Sequence, residues 1–243
     1  MSLEILPLRV EGEIEAGADL AAMVLDAAPP LLDGDVVVLT HKGVSKSEGR
    51  VVDLATVEPS PRALELAADG GDPRHLEVVL RESTRVVRRR GSLLICETRH
   101  GFVCASAGVD RSNTPGADLV VLLPLDPDAS AARVREALRA RSGRSVGVIV
   151  ADTMGRPLRN GIVGTAIGVS GIEPLHSLQG EIDPNGYELR TTQVAVADEL
   201  AAAADLVFRK LERVPAALVR GYGAAGDGAA AELIRAAGRD LFI

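Results

Sequence analysis

The sequence predicts an α+β fold of mixed α/β order, a single unit with mixed sheets and flanking helices rather than a Rossmann fold. Three observations carry this. Apolar, β-branched runs that read as buried strands recur at 35–40, 118–124 and 145–153. Helical spacing alternates with them, but a hairpin pattern at 93–105 and a Gly-rich, helix-poor stretch at 154–190 break the strand–helix rhythm of a doubly wound sheet. No repeat, linker or charge block divides the chain, so one domain is expected to span 1–243.

The elements follow in order. "ADLAAMVLDAA" has helical spacing and stops at Pro29 and Pro30. "DVVVLT" is a buried strand. It runs into the polar segment "THKGVSKSEGR", read as a phosphate cradle or as a solvated loop. "SPRALELAAD" begins a helix with Ser60 as N-cap and Pro61 at the first helical position, and Asp72 with Pro73 repeats the signal. "RESTRVVRRR" carries five arginines and reads as a solvated strand face or an anion-binding surface. "LLICETRHGFVCA" reads as a hairpin with Cys96 and Cys104 symmetric about His100. "DPDASAARVREALRARSG" is a helix closed by Gly143. "TQVAVADELAAAADLVFRKLE", 192–212, reads as the longest helix, and a strand "PAALVRG" with a helix "AAAELIRAAG" closes the chain.

Composition narrows the function. Aromatics are 2% with no Trp, so the core is built from Ala, Val, Leu and Ile. A net charge of −7 argues against nucleic acid as a partner. No apolar run approaches the roughly 18 residues that span a bilayer, and the N-terminus lacks a signal-peptide pattern. A cytoplasmic protein without a membrane role is expected, with its two cysteines as ordinary reduced sheet residues.

"RGYGAAGDG" contains G-x-G-x-x-G at Gly221, Gly223 and Gly226. A dinucleotide fingerprint needs a second strand and an acid about 20 residues on. The sequence ends 17 residues after Gly226, so a Gly-rich strand-to-helix turn is the expectation.

Chemistry concentrates in "HGFVCASAGVDRSN" and "VGVIVADTMGRPLRNG". Each sets an aspartate, Asp110 or Asp152, just past a strand, where it either caps a turn or faces a crevice. Asp110, Asp152 and Thr153 suit a hard divalent ion that shares its shell with phosphates and water. Arg111, Arg156 and Arg159 are candidate polyanion donors.

"DGDVVVLT…VSKSEGRVV", "RHGFVCASAGVDRSN", "LLPLDPDASA", "DTMGRPLRNG…AIGVSGIEPL", "DPNGYELR" and "AVADELAAAADLV" together resemble the coenzyme F420:L-glutamate ligase family, over nearly the whole chain. They also resemble the N-terminal half of its two-domain actinobacterial version, without the C-terminal nitroreductase-like domain. The resemblance implies a GTP-dependent ligase that adds L-glutamate to coenzyme F420-0, then further γ-linked glutamates. Making an amide from a carboxylate needs an activated acyl group, and attack of the carboxylate on the γ-phosphate to give an acyl phosphate is the economical route. It implies Mg²⁺ or Mn²⁺ with K⁺ as helper, and a homodimer.

Position by position, it implies metal contacts at Asp110, Asp152 and Thr153. It implies GTP contacts at Asn113, at His41, Lys42 and Lys46, and at Glu11, Gly12, Glu13 and Ile14 in "VEGEI". Lys210 falls in the nucleotide segment. There "FRK" replaces the usual M-G-K or M-G-Q, so Arg209 stands where the family has Gly. The alternative is a nucleotide- or coenzyme-binding homologue without turnover. The catalytic base is unassigned, with Glu48 and His100 as polar candidates.

Overall fold

The computed structural model describes residues 2–111, 116, 118–209, 212–236 and 238. The chain opens with strand β1 (Glu4–Leu8), helix α1 (Leu20–Ala27) and strand β2 (Val36–Thr40), which runs straight into helix α2 (His41–Ser47). The middle of the chain holds β3 (Val51–Asp53), α3 (Pro61–Ala67), α4 (Pro73–Arg81), the strands β4 (Ser83–Arg90), β5 (Leu93–Thr98) and β6 (Val103–Ala105), and β7 (Leu119–Val121). Helix α5 (Pro127–Ser142) leads to β8 (Gly147–Gly155) and β9 (Ile162–Ser170). Two short strands, β10 (His176–Ser177) and β11 (Gln193–Val194), then precede α6 (Val196–Phe208) and β12 (Ala216–Arg220).

Helix starts follow local chemistry. The side chains of Asp19, Ser60, Asp72 and Asp126 each accept a first-turn backbone N–H, and proline occupies the first turn of α3, α4 and α5. Each cap contributes about 1 kcal/mol. Gly143 ends α5 at φ 70°, a left-handed conformation that costs glycine little.

The main sheet has the order β1-β12-β2-β8-β9. β2 and β8 pair in parallel, and the other neighbours are antiparallel. Side chains alternate along β2. Val37 and Leu39 join Leu20, Val24, Ala131 and Leu138 in the core under α1 and α5. Val36 and Val38 join Ala197, Leu200, Ala204 and Phe208 in the core under α6. A third core packs α3 and α4 on β5 and β7, through Leu66, Leu76, Val79, Leu94 and Val120. β5 lies between β4 and β6 in a separate sheet.

This is the mixed α and β architecture that the sequence predicts, and it differs from prediction in three places. The segment after β2 is a helix, not a loop: Thr40 caps it, and Gly43 sits where a methyl group would come within 3.3 Å of Ile14 Cδ1. Among the described residues α5 is longer than α6, because residues 193–194 pair as β11 and Arg209 turns left-handed at φ 39°. The expected C-terminal helix is a short 3-10 turn, Ala230–Leu233. The turn before it is tightly packed: a side chain at Gly226 would run into Glu173, and one at Gly221 into the Ser2 carbonyl.

Gly168 faces the start of α5 so closely that a Cβ there would collide with the Pro127 carbonyl, whereas one at Gly155 would meet nothing within 4 Å. Gly168→Ala is expected to destabilise by about 1–3 kcal/mol through overpacking. Gly155→Ala is expected to stay within about 0.5 kcal/mol of the parent. Urea midpoints of the two variants check both.

Candidate functional site at the strand ends

The parallel register sets Thr40 opposite Ala151, so His41, at the start of α2, lies beside Asp152, where β8 runs on past β2 paired only with β9. Ligands of α/β sheets bind beyond the carboxyl ends of parallel strands. Here His41 Nδ1 lies 3.0 Å from Asp152 Oδ1, with the two side chains only 4% and 12% exposed. The same Oδ1 accepts the backbone N–H of Thr153 at 2.7 Å. One residue on, Lys42 Nζ lies 2.7 Å from Asp110 Oδ2. The start of α2 thus touches both aspartates.

A cavity of about 460 Å³ opens over this edge, a size that suits a small ligand. Its wall from the N-terminal segment is Val10, Gly12, Glu13 and Ile14. Helix α2 and its cap supply Thr40, His41, Lys42, Gly43 and Lys46, and β8 supplies Ala151, Asp152 and Thr153. Gly164, Asp205, Phe208 and the segment Arg213–Pro215 complete it. Gly164 is closely approached by α6: a Cβ there would sit 2.5 Å from the Ala201 carbonyl oxygen and 3.0 Å from Asp205 Cβ. Glu13 spans the cations, with Oε2 3.3 Å from Lys46 Nζ and Oε1 3.1 Å from Arg213 Nη1.

Of the residues singled out in the sequence, Gly12, Glu13, Ile14, His41, Lys42, Lys46, Asp152 and Thr153 line this one cavity. Asp110 joins it through Lys42. Glu11 is exposed and outside the lining. Asn113 and Lys210 lie outside the described residues. Arg111 reaches Asp72 at 2.8 Å, and the Arg156 guanidinium folds onto the Asn160 carbonyl, so neither lines the cavity, nor does Arg159. Arg74, with Arg111 beside it, holds the Asp72 carboxyl well below the usual carboxylate range. Glu48 accepts from Ser130 Oγ at 2.6 Å and pairs with Arg133, and His100 Nε2 lies 3.0 Å from the Leu125 carbonyl oxygen. Neither lines the cavity. Arg209 is turned to Glu212, at 3.0 Å, and does not line the cavity either.

Thr40, Asp205 and Arg213 were not identified from sequence, whereas Phe208 opens the "FRK" segment that the resemblance sets at the nucleotide. Asp205 carries a faint signal as an acid inside the apolar run "AAADLVF". Arg213 carries none, because only the fold brings it opposite Glu13.

Cys96 and Cys104 face each other in the β5–β6 register, buried and unbridged. Burial first, then the Asp152 charge, pushes the Cys104 thiol up to about 12.

A cavity at parallel strand ends, with cations and oxygen donors converging, defines a protein built to handle a charged small molecule. The family is then given by comparison: the profile of the F420-0:gamma-glutamyl ligase family matches residues 10–221, and the chain belongs to this family. It is 44% identical over 238 residues to the coenzyme F420:L-glutamate ligase of Methanothermobacter thermautotrophicus, covering 94% of each chain. It is 44% identical over 248 residues to that of Methanopyrus kandleri, covering 99% of this chain and 98% of the other. Against that of Methanocaldococcus jannaschii the identity is 42% over 231 residues, covering 94% of this chain and 92% of the other. Among the described residues no helix is long and apolar enough to cross a membrane.

The raised thiol gives a direct check. A thiol at about 12 holds almost no thiolate at pH 8. Maleimide at pH 8 is therefore expected to leave native Cys104 unlabelled and to label it fully in denaturant, as read by intact mass and peptide mapping. Native labelling at the rate of a free cysteine would contradict the buried, Asp152-facing position.

Proposed function

We propose that this chain is a GTP-dependent ligase that joins L-glutamate to coenzyme F420-0 by an amide bond and then extends the product with γ-linked glutamates. The observation that carries the proposal is the convergence of Lys42, Lys46 and Arg213 with Asp152 and Thr153 in one cavity. The relatives' named activity supports the substrate pair.

The donor set fits a Mg²⁺-type ion. Asp110, Asp152 and the Thr153 hydroxyl are hard oxygen donors, and Asp152 and Thr153 line the cavity. Among the described residues no cluster of three or more acidic, His or Cys side chains is placed to enclose a metal. Mg²⁺ keeps waters and phosphate oxygens in its shell, so two or three protein oxygens would be enough to hold it. When bound, the ion supplies charge neutralisation at the phosphates.

The chain's own residues do the rest. Lys42, Lys46 and Arg213 bind phosphate oxygens and offset the charge that builds on the transferred group. For phosphate to reach Lys46 and Arg213, the Glu13 carboxylate gives way. A carboxylate oxygen of F420-0 attacks the γ-phosphorus and GDP leaves, forming an acyl phosphate. The α-amine of glutamate, having lost its proton, attacks the acyl carbon, and phosphate leaves as the amide forms. Positioning in a walled cavity supplies much of the rate. Arg209 pairs with Glu212 and does not line the cavity, so it is assigned no part in these steps.

Incubation with GTP, Mn²⁺, L-glutamate and F420-0, followed by mass spectrometry, is expected to yield glutamylated coenzyme. Asp152→Asn is expected to lower turnover more than about a hundredfold with the fold intact. Arg213→Ala is expected to raise the KM for GTP about tenfold, as loss of a charged hydrogen bond does, and Arg209→Gly to change it less than about twofold. Glutamylation undiminished in Asp152→Asn, or a larger KM effect at Arg209 than at Arg213, would refute the assignment.

A further inference from the structure

We propose that His41 is a positioning residue whose imidazole fixes the Asp152 carboxylate, leaving one carboxylate oxygen for a divalent ion. The inference rests on the metal role of Asp152 argued above. It departs from the resemblance, which sets His41 at the nucleotide.

The side chain of His41 is 4% exposed, so little of the ring faces the cavity that the residue lines. Its Nδ1 meets Asp152 Oδ1 at 3.0 Å. Its Nε2 is buried without a hydrogen-bond partner. An apolar side chain would fill the same space and leave no unpartnered nitrogen. What the imidazole adds is the Nδ1–H at Asp152. A carboxylate oxygen accepts, so the ring meets Asp152 as a donor in the tautomer that carries its proton on Nδ1.

Asp152 is then held at one oxygen from two sides. Oδ1 lies 3.0 Å from His41 Nδ1 and accepts the Thr153 backbone N–H at 2.7 Å. Oδ2 makes no hydrogen bond among the described residues, and Asp152 lines the cavity. Two contacts at one oxygen restrict rotation of the carboxylate and present the other oxygen in a fixed direction. Hydrogen-bonded partners of ligating carboxylates orient them in this way, and their loss costs about 10- to 100-fold in metal affinity.

The position in the fold explains why His41 can do this. It is the first residue of α2, directly after the strand that pairs in parallel with β8. The register that aligns Thr40 with Ala151 also aligns His41 with Asp152. A rigid backbone therefore carries the donor, as precise positioning requires.

The test measures Mn²⁺ binding without nucleotide, by electron paramagnetic resonance, on the full chain. His41→Leu is expected to bind Mn²⁺ about 10- to 100-fold more weakly. His41→Asn, whose amide N–H can take the place of Nδ1–H, is expected to stay within about threefold of the parent. Melting in chelator reports whether each variant folds. Unchanged Mn²⁺ affinity in a folded His41→Leu, or equal weakening in both variants, would overturn the proposal. If His41→Leu does not fold, ¹⁵N-histidine spectra of the unsubstituted protein decide. The Nδ1-protonated tautomer with an Nδ1 signal that moves on Mg²⁺ addition supports the role, and an Nε2-protonated ring or a signal indifferent to Mg²⁺ overturns it. Asp152→Asn separates the two levels. Mn²⁺ affinity retained in that variant sinks the metal reading itself, whereas affinity lost there but kept in His41→Leu sinks only the role of His41.

Discussion

β2 and β8 run parallel in the centre of the main sheet, with Val36 to Thr40 opposite Gly147 to Ala151. Both strands are buried on both faces, so their sequences are near-continuous runs of Val, Ile and Leu. Burial of those runs fixes the register, because a one-residue slip would exchange the side chains facing α6 with those facing α1 and α5. The polar residues that follow each run have no choice of position. They emerge side by side at one edge of the sheet, and the start of α2 and the end of β8 share a site for that reason.

The cavity gathers cations that would repel one another if left alone. Coulomb repulsion between unit charges a few ångströms apart near a protein surface is several kcal/mol. Acids offset it: Asp110 lies on Lys42, and Glu13 lies between Lys46 and Arg213. A polyanion that carries its own negative oxygens can take the place of Glu13. The N-terminal segment is thus both a wall of the cavity and a source of its charge balance.

The central strands, the capped helices and the cysteine hairpin are legible in the sequence because each rests on local signals. Ser60 and Pro61, Asp72 and Pro73, and Gly143 announce helix ends within a few residues. The helix α2 is not legible, because "HKGVSKS" is polar and contains Gly43. Its helical state comes from the Thr40 cap and from packing under Ile14, which is a tertiary contact. Lys46, Asp152 and Thr153 could be picked out by their residue types at strand ends and by family resemblance. Arg213 could not, because it meets Glu13 only through the placement of the segment that leads into β12, the neighbour of β2. The direction of the His41 ring is likewise a product of the β2–β8 register, and no pattern in the neighbouring residues encodes it.

We propose that a nucleotide and a divalent ion occupy the cavity where α2 begins and β8 runs on beside it. A crystal structure of the protein with a non-hydrolysable GTP analogue and Mn²⁺ tests it most directly. Anomalous scattering from Mn²⁺ is expected between Asp110 and Asp152, with phosphate oxygens against Lys42, Lys46 and Arg213 and the Glu13 carboxylate displaced from them. Nucleotide bound instead at the Gly221–Gly226 turn, or Mn²⁺ away from Asp152, would contradict the account.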